Sequence, residues 1–253
     1  MRSINSGCKW VERIKTSFAL ALLLLTSCAS SQLDQAQQWQ SQLHAEHALV
    51  GMIWDSQADE FIEANELFAR TERVSYLLLG EKHDNPDHHA LQLRALDHVL
   101  KTNTVSTVSF EMMSSEQQPL LQELSAYRQS SLEQVNEYLQ WDNEGWDWDY
   151  YSPLLHSAMQ ADVLINAANI SNEEMMQVYG APTAAKIEGV LDEQTMAALE
   201  KDIDESHCGM LPESQFPAMV RVQQARDFAM AGSLAASSPQ QIQVLIAGNY
   251  HIR

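Results

Sequence analysis

Glu81, His83, Asp84, His88 and His89 crowd one short stretch of the chain. Carboxylate beside imidazole can hold a metal, move a proton or seat an iron-bearing cofactor. The stretch follows an apolar run, residues 74–79, that reads as a buried strand. It precedes His88-His89-Ala90-Leu91-Gln92-Leu93, which reads as the opening of a helix. In an open α/β sheet, ligands bind just beyond the C-terminal ends of the strands. A turn here needs only Gly80, Asn85 and Pro86, so the charged and imidazole residues do more than redirect the chain. A solvated polar loop is the plainer alternative.

Four short apolar runs rich in β-branched residues predict the strands that must position such a site: 74–79, 105–110, 163–167 and 242–247. Between them, residues 88–101 place Leu91, Ala95, Leu96, Val99 and Leu100 on a wide apolar helix face. Residues 217–235 form a second helical stretch, long enough to pack along a sheet. The alternation predicts an α/β fold, a largely parallel β-sheet flanked by helices. Segments of about 114–150 and 171–215 carry no strand signal. Their helical stretches, 116–128, 132–139 and 192–202, are expected to form a helical insertion, a lid near the strand C-terminal ends.

A parallel sheet gathers at one edge the residues just beyond each strand. Those are the 81–89 cluster, then Glu111 in Ser109-Phe110-Glu111-Met112, then Asn166 and Asn169, then Gly248-Asn249-Tyr250-His251. Two Glu and several His at one edge are hard to explain as core, because buried charge is costly unless paired or metal-bound.

A second informative stretch, residues 141–155, holds Trp141, Trp146, Trp148, Tyr150 and Tyr151. Broad apolar faces with polar tips suit a flat ligand. The alternative is a loop pinned to the core by its aromatics, followed by a helix starting at Pro153. The pairs Met112-Met113 and Met175-Met176 read as core filling rather than axial haem ligands. His207-Cys208-Gly209 lacks the second Cys of a CxxC pair and is a weak metal signal. The sequence has no GxGxxG, P-loop, GxSxG or HExxH, so nucleotide-dependent and serine-hydrolase readings have no direct support.

The N-terminus reads as a targeting element. Arg2, Lys9, Arg13 and Lys15 precede a short apolar core at 18–25, well below the ~20 residues needed to span a bilayer. Leu25-Thr26-Ser27-Cys28 then matches a bacterial lipoprotein signal. The expectation is a signal peptide at 1–27 and lipidation of Cys28, so that a lipid anchor ties the protein to the membrane. Ala29 lacks the Asp that retains lipoproteins in the inner membrane, which points to the outer membrane of a bacterial cell envelope. Cleavage would discard Cys8 and lipidation would consume Cys28, leaving Cys208 without an intramolecular partner and expected to be buried and inert. Residues 28–48 read as a Ser- and Gln-rich tether, with His44 and His47 exposed in it, and 49–253 as the domain. The net charge of −19 deepens once the basic leader is removed. It argues against nucleic acid and anionic lipid surfaces as partners.

These residues resemble the ChaN-like haem-binding lipoproteins, relatives in the wider sense of the Tiki and erythromycin-esterase-like proteins. The resemblance runs from Leu79-Gly80-Glu81-Lys82-His83-Asp84-Asn85 with His88-His89 and Gln92, through Ser109-Phe110-Glu111-Met112 and the 148–155 stretch. It continues through His207-Cys208-Gly209-Met210-Leu211-Pro212 and Gln224-Ala225-Arg226-Asp227-Phe228-Ala229-Met230-Ala231 to Ala247-Gly248-Asn249-Tyr250-His251. It implies a protein of iron acquisition that binds ferric haem in a homodimer, two haems face to face, each iron held by a Tyr. Tyr151 matches best, with Tyr150 its competitor; Tyr179 or Tyr250 as the ligand would be a surprise. His83, His88, His89 or His251 would be the hydrogen-bond partner of that Tyr, and Trp146 or Trp148 would lie against the porphyrin. Arg226 and Arg253 are the cations available for the propionates. An outer-membrane haem or iron receptor is the implied partner. The family continues past its Gly-x-x-His motif, whereas this chain ends at Arg253, so a sheet face is expected to be left uncovered. The wider superfamily implies an alternative, a metal-dependent hydrolase in which Glu81, His83, Glu111 and His251 hold a divalent metal ion and activate water.

Overall fold

The computed structural model describes residues 39–71, 73–102, 104–181, 191–234 and 241–252. The leader, Cys28 and Arg253 lie outside them. A small antiparallel hairpin comes first, β1 (Ile53–Asp55) and β2 (Glu60–Ile62). Strands this short leave no alternation to read, and the pair was not anticipated. Helix α1 (Ala64–Thr71) comes next.

The four apolar runs then form one parallel sheet: β3 (Tyr76–Glu81), β4 (Val105–Ser114), β5 (Leu164–Asn169) and β6 (Ile242–Gly248). Their spatial order is β3-β6-β4-β5. Connections leaving β3 and β4 cross the sheet one way, and the return from β5 to β6 crosses it the other way. With right-handed crossovers, the connecting helices must fall on opposite faces. They do. On one face Ile242, Val244 and Ile246 of β6 pack with Val108 and Phe110 of β4 and with Leu96, Val99, Leu139, Leu154 and Leu155. On the other, Leu245 and Ala247 pack with Ala168, Met230 and Leu234. All of β6 is buried, as the central strand of such a sheet should be. The edge strand β3 leaves Tyr76 and Leu78 about half exposed.

The helices on the first face are α2 (Pro86–Thr102), α4 (Leu132–Leu139) and α5 (Trp148–Gln160), with the short α3 (Gln118–Gln122) at the β5 side. Pro86 opens α2 where its missing N–H costs nothing. The Asp87 carboxylate accepts the N–H groups of Gln40 (2.8 Å) and Ser41 (2.9 Å), fastening the end of the expected tether to this helix. Ser131 and Gln134 form a capping box on α4. Helix α5 begins at Trp148 and not at Pro153, because Asp147 caps it by accepting the Asp149 N–H at 3.0 Å. The expected helix at 116–128 is instead broken into α3 and flanking 3₁₀ turns.

Helices α6 (Asn172–Gly180), α7 (Glu193–Ser206) and α8 (Phe216–Ser233) complete the chain, with α8 on β5 and β4. Met112 and Met113 are core, as their pairing suggested, whereas Met176 is exposed. His44 and His47 are exposed. Cys208 is exposed rather than buried: it lies just past the C-terminus of α7, in a left-handed conformation at φ 56°. Among the described residues, no helix is long and apolar enough to cross a membrane.

The two-layer core gives a direct expectation. Leu154→Ala removes a fully buried side chain and should cost about 2–5 kcal/mol in urea unfolding. Leu164→Ala, at a site 70% exposed, should stay within about 0.5 kcal/mol of wild type.

Candidate functional site

Glu81 is the last residue of β3, paired in register with Gly248, the last of β6. Its side chain is fully buried. Oε1 accepts the Tyr151 hydroxyl at 2.6 Å and meets His83 Nδ1 at 2.7 Å. Oε2 lies 2.7 Å from His89 Nδ1, an ion-pair distance without the alignment of a hydrogen bond. Burial alone would raise the Glu81 pKa, but His83, His89 and Tyr151 together bring it down to about 2. His89 is buried too; desolvation works against its cation, yet Glu81 and the His83 carbonyl raise its pKa. Burial, then the hydrogen bond and charge of Glu81, push the Tyr151 phenol well above its ordinary value. Glu81 is thus an ionised carboxylate, and Tyr151 a protonated donor to it.

Glu111, inside β4, organises a second group. Its Oε2 accepts the Gly248 N–H at 2.7 Å, and its Oε1 lies 3.3 Å from His251 Nε2. His251 Nδ1 lies 2.6 Å from Asp227 Oδ1, and Gln223 Nε2 is 2.9 Å from the same nitrogen. Gln223 and Asp227 are four residues apart on α8, hence on one face of it. Burial opposes protonation of His251, but Asp227 and Glu111 outweigh it and raise the pKa to about 9. His251 is an imidazolium held between two carboxylates. Desolvation would raise the Glu111 pKa, and His251 with the Gly248 N–H lowers it instead.

Gly248 joins the two groups. A Cβ at this position would lie 2.8 Å from His83 Cε1 and Nε2. Only a residue without a side chain lets the His83 ring lie across the end of β6, between Glu81 and Glu111.

Above these groups lies a cleft in two lobes. The larger, about 560 Å³, runs over the ends of β4 and β5, and the smaller, about 170 Å³, over the end of β6. Glu111, Trp146 and Arg226 line both lobes. The smaller also holds His83, Gly248, Tyr250 and His251, and is closed on one side by Leu199, Asp202, Ile203 and Ser206 of α7. Trp146 is held in place by its loop. Its carbonyl accepts the Trp141 indole N–H at 2.9 Å, and Asp142 Oδ1 accepts the N–H groups of Glu144 and Gly145. Its ring meets His83 edge-on at 4.9 Å. A separate apolar hollow of about 470 Å³ lies outside α2 and β3, away from both carboxylates.

The structure therefore separates the residues singled out in the sequence. Glu81, His83, Glu111 and His251 do come to one edge. They form two hydrogen-bonded groups, and among the described residues no three His, Cys, Asp or Glu side chains converge as metal ligands. Glu81 and Glu111 thus each have their own imidazole partners in this arrangement. His89 and Tyr151 are floor residues, buried beneath the cleft. Tyr150 stacks on His89 at 4.6 Å. His88 faces the other way: its Nδ1 accepts the Lys82 N–H at 2.9 Å and it lines the apolar hollow. Trp148 packs edge-on against the buried Trp141 at 5.0 Å and lines neither lobe, so Trp146 is the aromatic wall. Asp227 and Gln223 were missed; their i,i+4 spacing at the start of the 224–231 motif was the available signal.

Residues 67–253 match a family described as haem-binding uptake, Tiki superfamily, ChaN. No curated protein matches the sequence. Among solved structures, the ChaN of Campylobacter jejuni, described with cofacial haem binding, is 24% identical, with a TM-score of 0.69 over 79% of this chain and 80% of that one. It shares the fold. The C-terminal region of Pasteurella multocida toxin, described with a thiol-protease-like catalytic triad, is 13% identical, with a TM-score of 0.40 over 74% of this chain and 21% of that one. At that score the likeness has no bearing on chemistry here.

The clamp on His251 predicts a pH dependence. Its folded pKa of about 9 lies above the ordinary 6.5. The stability it contributes is therefore complete below pH 6.5 and lost as pH rises through about 9, an effect on the order of 3 kcal/mol. Urea unfolding should show wild type weakening across this window. Asp227→Asn should make the decline shallower and end it at lower pH; an identical slope in both proteins would contradict the clamp.

Proposed function

The chain belongs to the family described as haem-binding uptake, Tiki superfamily, ChaN, and on that premise we propose that it binds haem in the strand-end cleft as cargo for iron uptake. The observation that carries this reading is the combination of Trp146 and Arg226 on both lobes of one cleft. Haem needs a flat apolar wall, a cation for its acid groups and a donor for its iron. Trp146 supplies the first and Arg226 the second. The two lobes, about 560 and 170 Å³ and sharing Glu111, Trp146 and Arg226, together lie within the ~300–1,000 Å³ usual for small-molecule sites.

The iron is ferric and is held by a tyrosine, since phenolate is a hard anionic donor. Tyr250, and not Tyr151, is that ligand. What supports Tyr250 is its 49% exposure in the lobe that also holds His83. Tyr151 would have to leave Glu81 and lose a proton beside an ionised carboxylate, against the direction of its pKa shift. His83, its side chain 45% exposed, is the hydrogen-bond partner for the phenolate. The carboxylate–imidazole groups position these residues, and the protein is a carrier rather than an enzyme.

The remaining parts rest on the same reading. The protein is a lipoprotein of the outer membrane, anchored at Cys28 after removal of its signal peptide. It works as a homodimer with clefts facing, as the cofacial binding described for the Campylobacter jejuni protein suggests, and exchanges haem with an outer-membrane receptor.

Haem titration followed by absorbance tests this. Wild type should give a saturable ferric high-spin spectrum with a tyrosinate charge-transfer band. Tyr250→Phe should lose that band, and Tyr151→Phe should keep it. Loss in Tyr151→Phe alone would overturn the ligand assignment, and no saturable spectrum in wild type would end the haem reading.

A further inference from the structure

Arg226 is the one Arg or Lys among the described residues lining either lobe of the cleft. Its Nε is buried and has no hydrogen-bond partner among the described residues. A buried guanidinium donor left unpaired is costly, because the group has lost its water without replacement. The carboxylates around it do not complete it. Both oxygens of Glu111 are engaged, by Gly248 and His251, and Asp227 holds the other side of His251. The Nε donor is thus left over while Glu111 and Asp227 hold other partners.

We propose that Arg226 is the docking point for a carboxylate of the ligand, so that the cleft selects flat aromatic or macrocyclic acids over their neutral esters. For haem, whose propionates are such carboxylates, the inference rests on the haem-binding reading and makes it specific. The chain carries a net charge of −19, and Glu116, Asp142 and Asp202 also line the cleft. That field disfavours anions in general. A local, directional partner is needed to admit one, and the planar fork of Arg provides it where a diffuse positive patch is missing. Trp146 beside it faces the apolar body of the same ligand. The result is a filter: small inorganic anions gain the ion pair without the stacking surface, and neutral flat molecules gain the surface without the ion pair.

The test compares haem, metal-free protoporphyrin, its dimethyl ester and 2-naphthoate by tryptophan quenching and absorbance. The full-length protein is used as wild type, Arg226→Gln and Arg226→Lys, with circular dichroism confirming that each is folded. Wild type should bind the free-acid porphyrin at least about tenfold more tightly than the ester, the size of one charge-assisted hydrogen-bonded pair. Arg226→Gln should erase that preference, Arg226→Lys should restore part of it, and the shape of the haem spectrum should be unchanged in both. Equal binding of acid and ester by wild type, with haem still bound, would overturn the Arg226 assignment and leave the haem reading standing. Failure of both porphyrin and haem to bind, with 2-naphthoate bound in an Arg226-dependent way, would do the reverse. If no acid binds through Arg226, the assignment falls.

Discussion

Two ionised carboxylates, one buried at the end of β3 and one inside β4, set the terms for the whole functional end. Neither Glu81 nor Glu111 could stay charged there unaided. Each is answered by imidazole and by one further donor: Tyr151 for Glu81, the Gly248 N–H for Glu111. The central strand β6 makes this possible. It lies between β3 and β4 and ends in a glycine whose N–H serves one carboxylate and whose missing side chain makes room for the imidazole of the other. Sheet order, strand length and one glycine are thus parts of a single electrostatic solution.

That solution divides the site into a fixed floor and an open mouth. Glu81, His89 and Tyr151 are buried, with Glu81 hydrogen-bonded to Tyr151 and at ion-pair distance from His89, and Tyr150 stacks on His89. His83 and Tyr250 reach the mouth from the same strand ends. A buried, charge-paired floor keeps its shape beneath the open mouth. Helix α7 borders the smaller lobe through Leu199 and Ile203. Among the described residues, Arg226 is the one Arg or Lys lining the cleft of a strongly acidic chain.

Much of the fold was legible because β6 and its neighbours are buried on both faces, so their apolar runs are nearly continuous. The convergence of Glu81, Glu111 and His251 was legible from the same fact, since parallel strands share one C-terminal edge. Finer placements were not legible where tertiary context decides them. His88 and His89 are neighbours in sequence, but on a helix successive side chains point about 100° apart, and only His89 turns to Glu81. Trp146 and Trp148 look alike in sequence; the cap at Asp147 sends one to the cleft and the other to the core. Tyr151 carried the stronger motif, yet its burial under Glu81 is set by packing that no local pattern encodes. Asp227 gave its signal only through the spacing of an otherwise ordinary helix.

The central claim is that the strand-end cleft, and no other hollow of the molecule, receives haem. Locating the iron by anomalous scattering in crystals of the haem-loaded protein tests it most directly. The account predicts an iron peak in the lobe between Trp146, Tyr250 and His83, with the macrocycle against Trp146. Iron in the apolar hollow beside Leu91 and Phe68, outside α2 and β3, would contradict it.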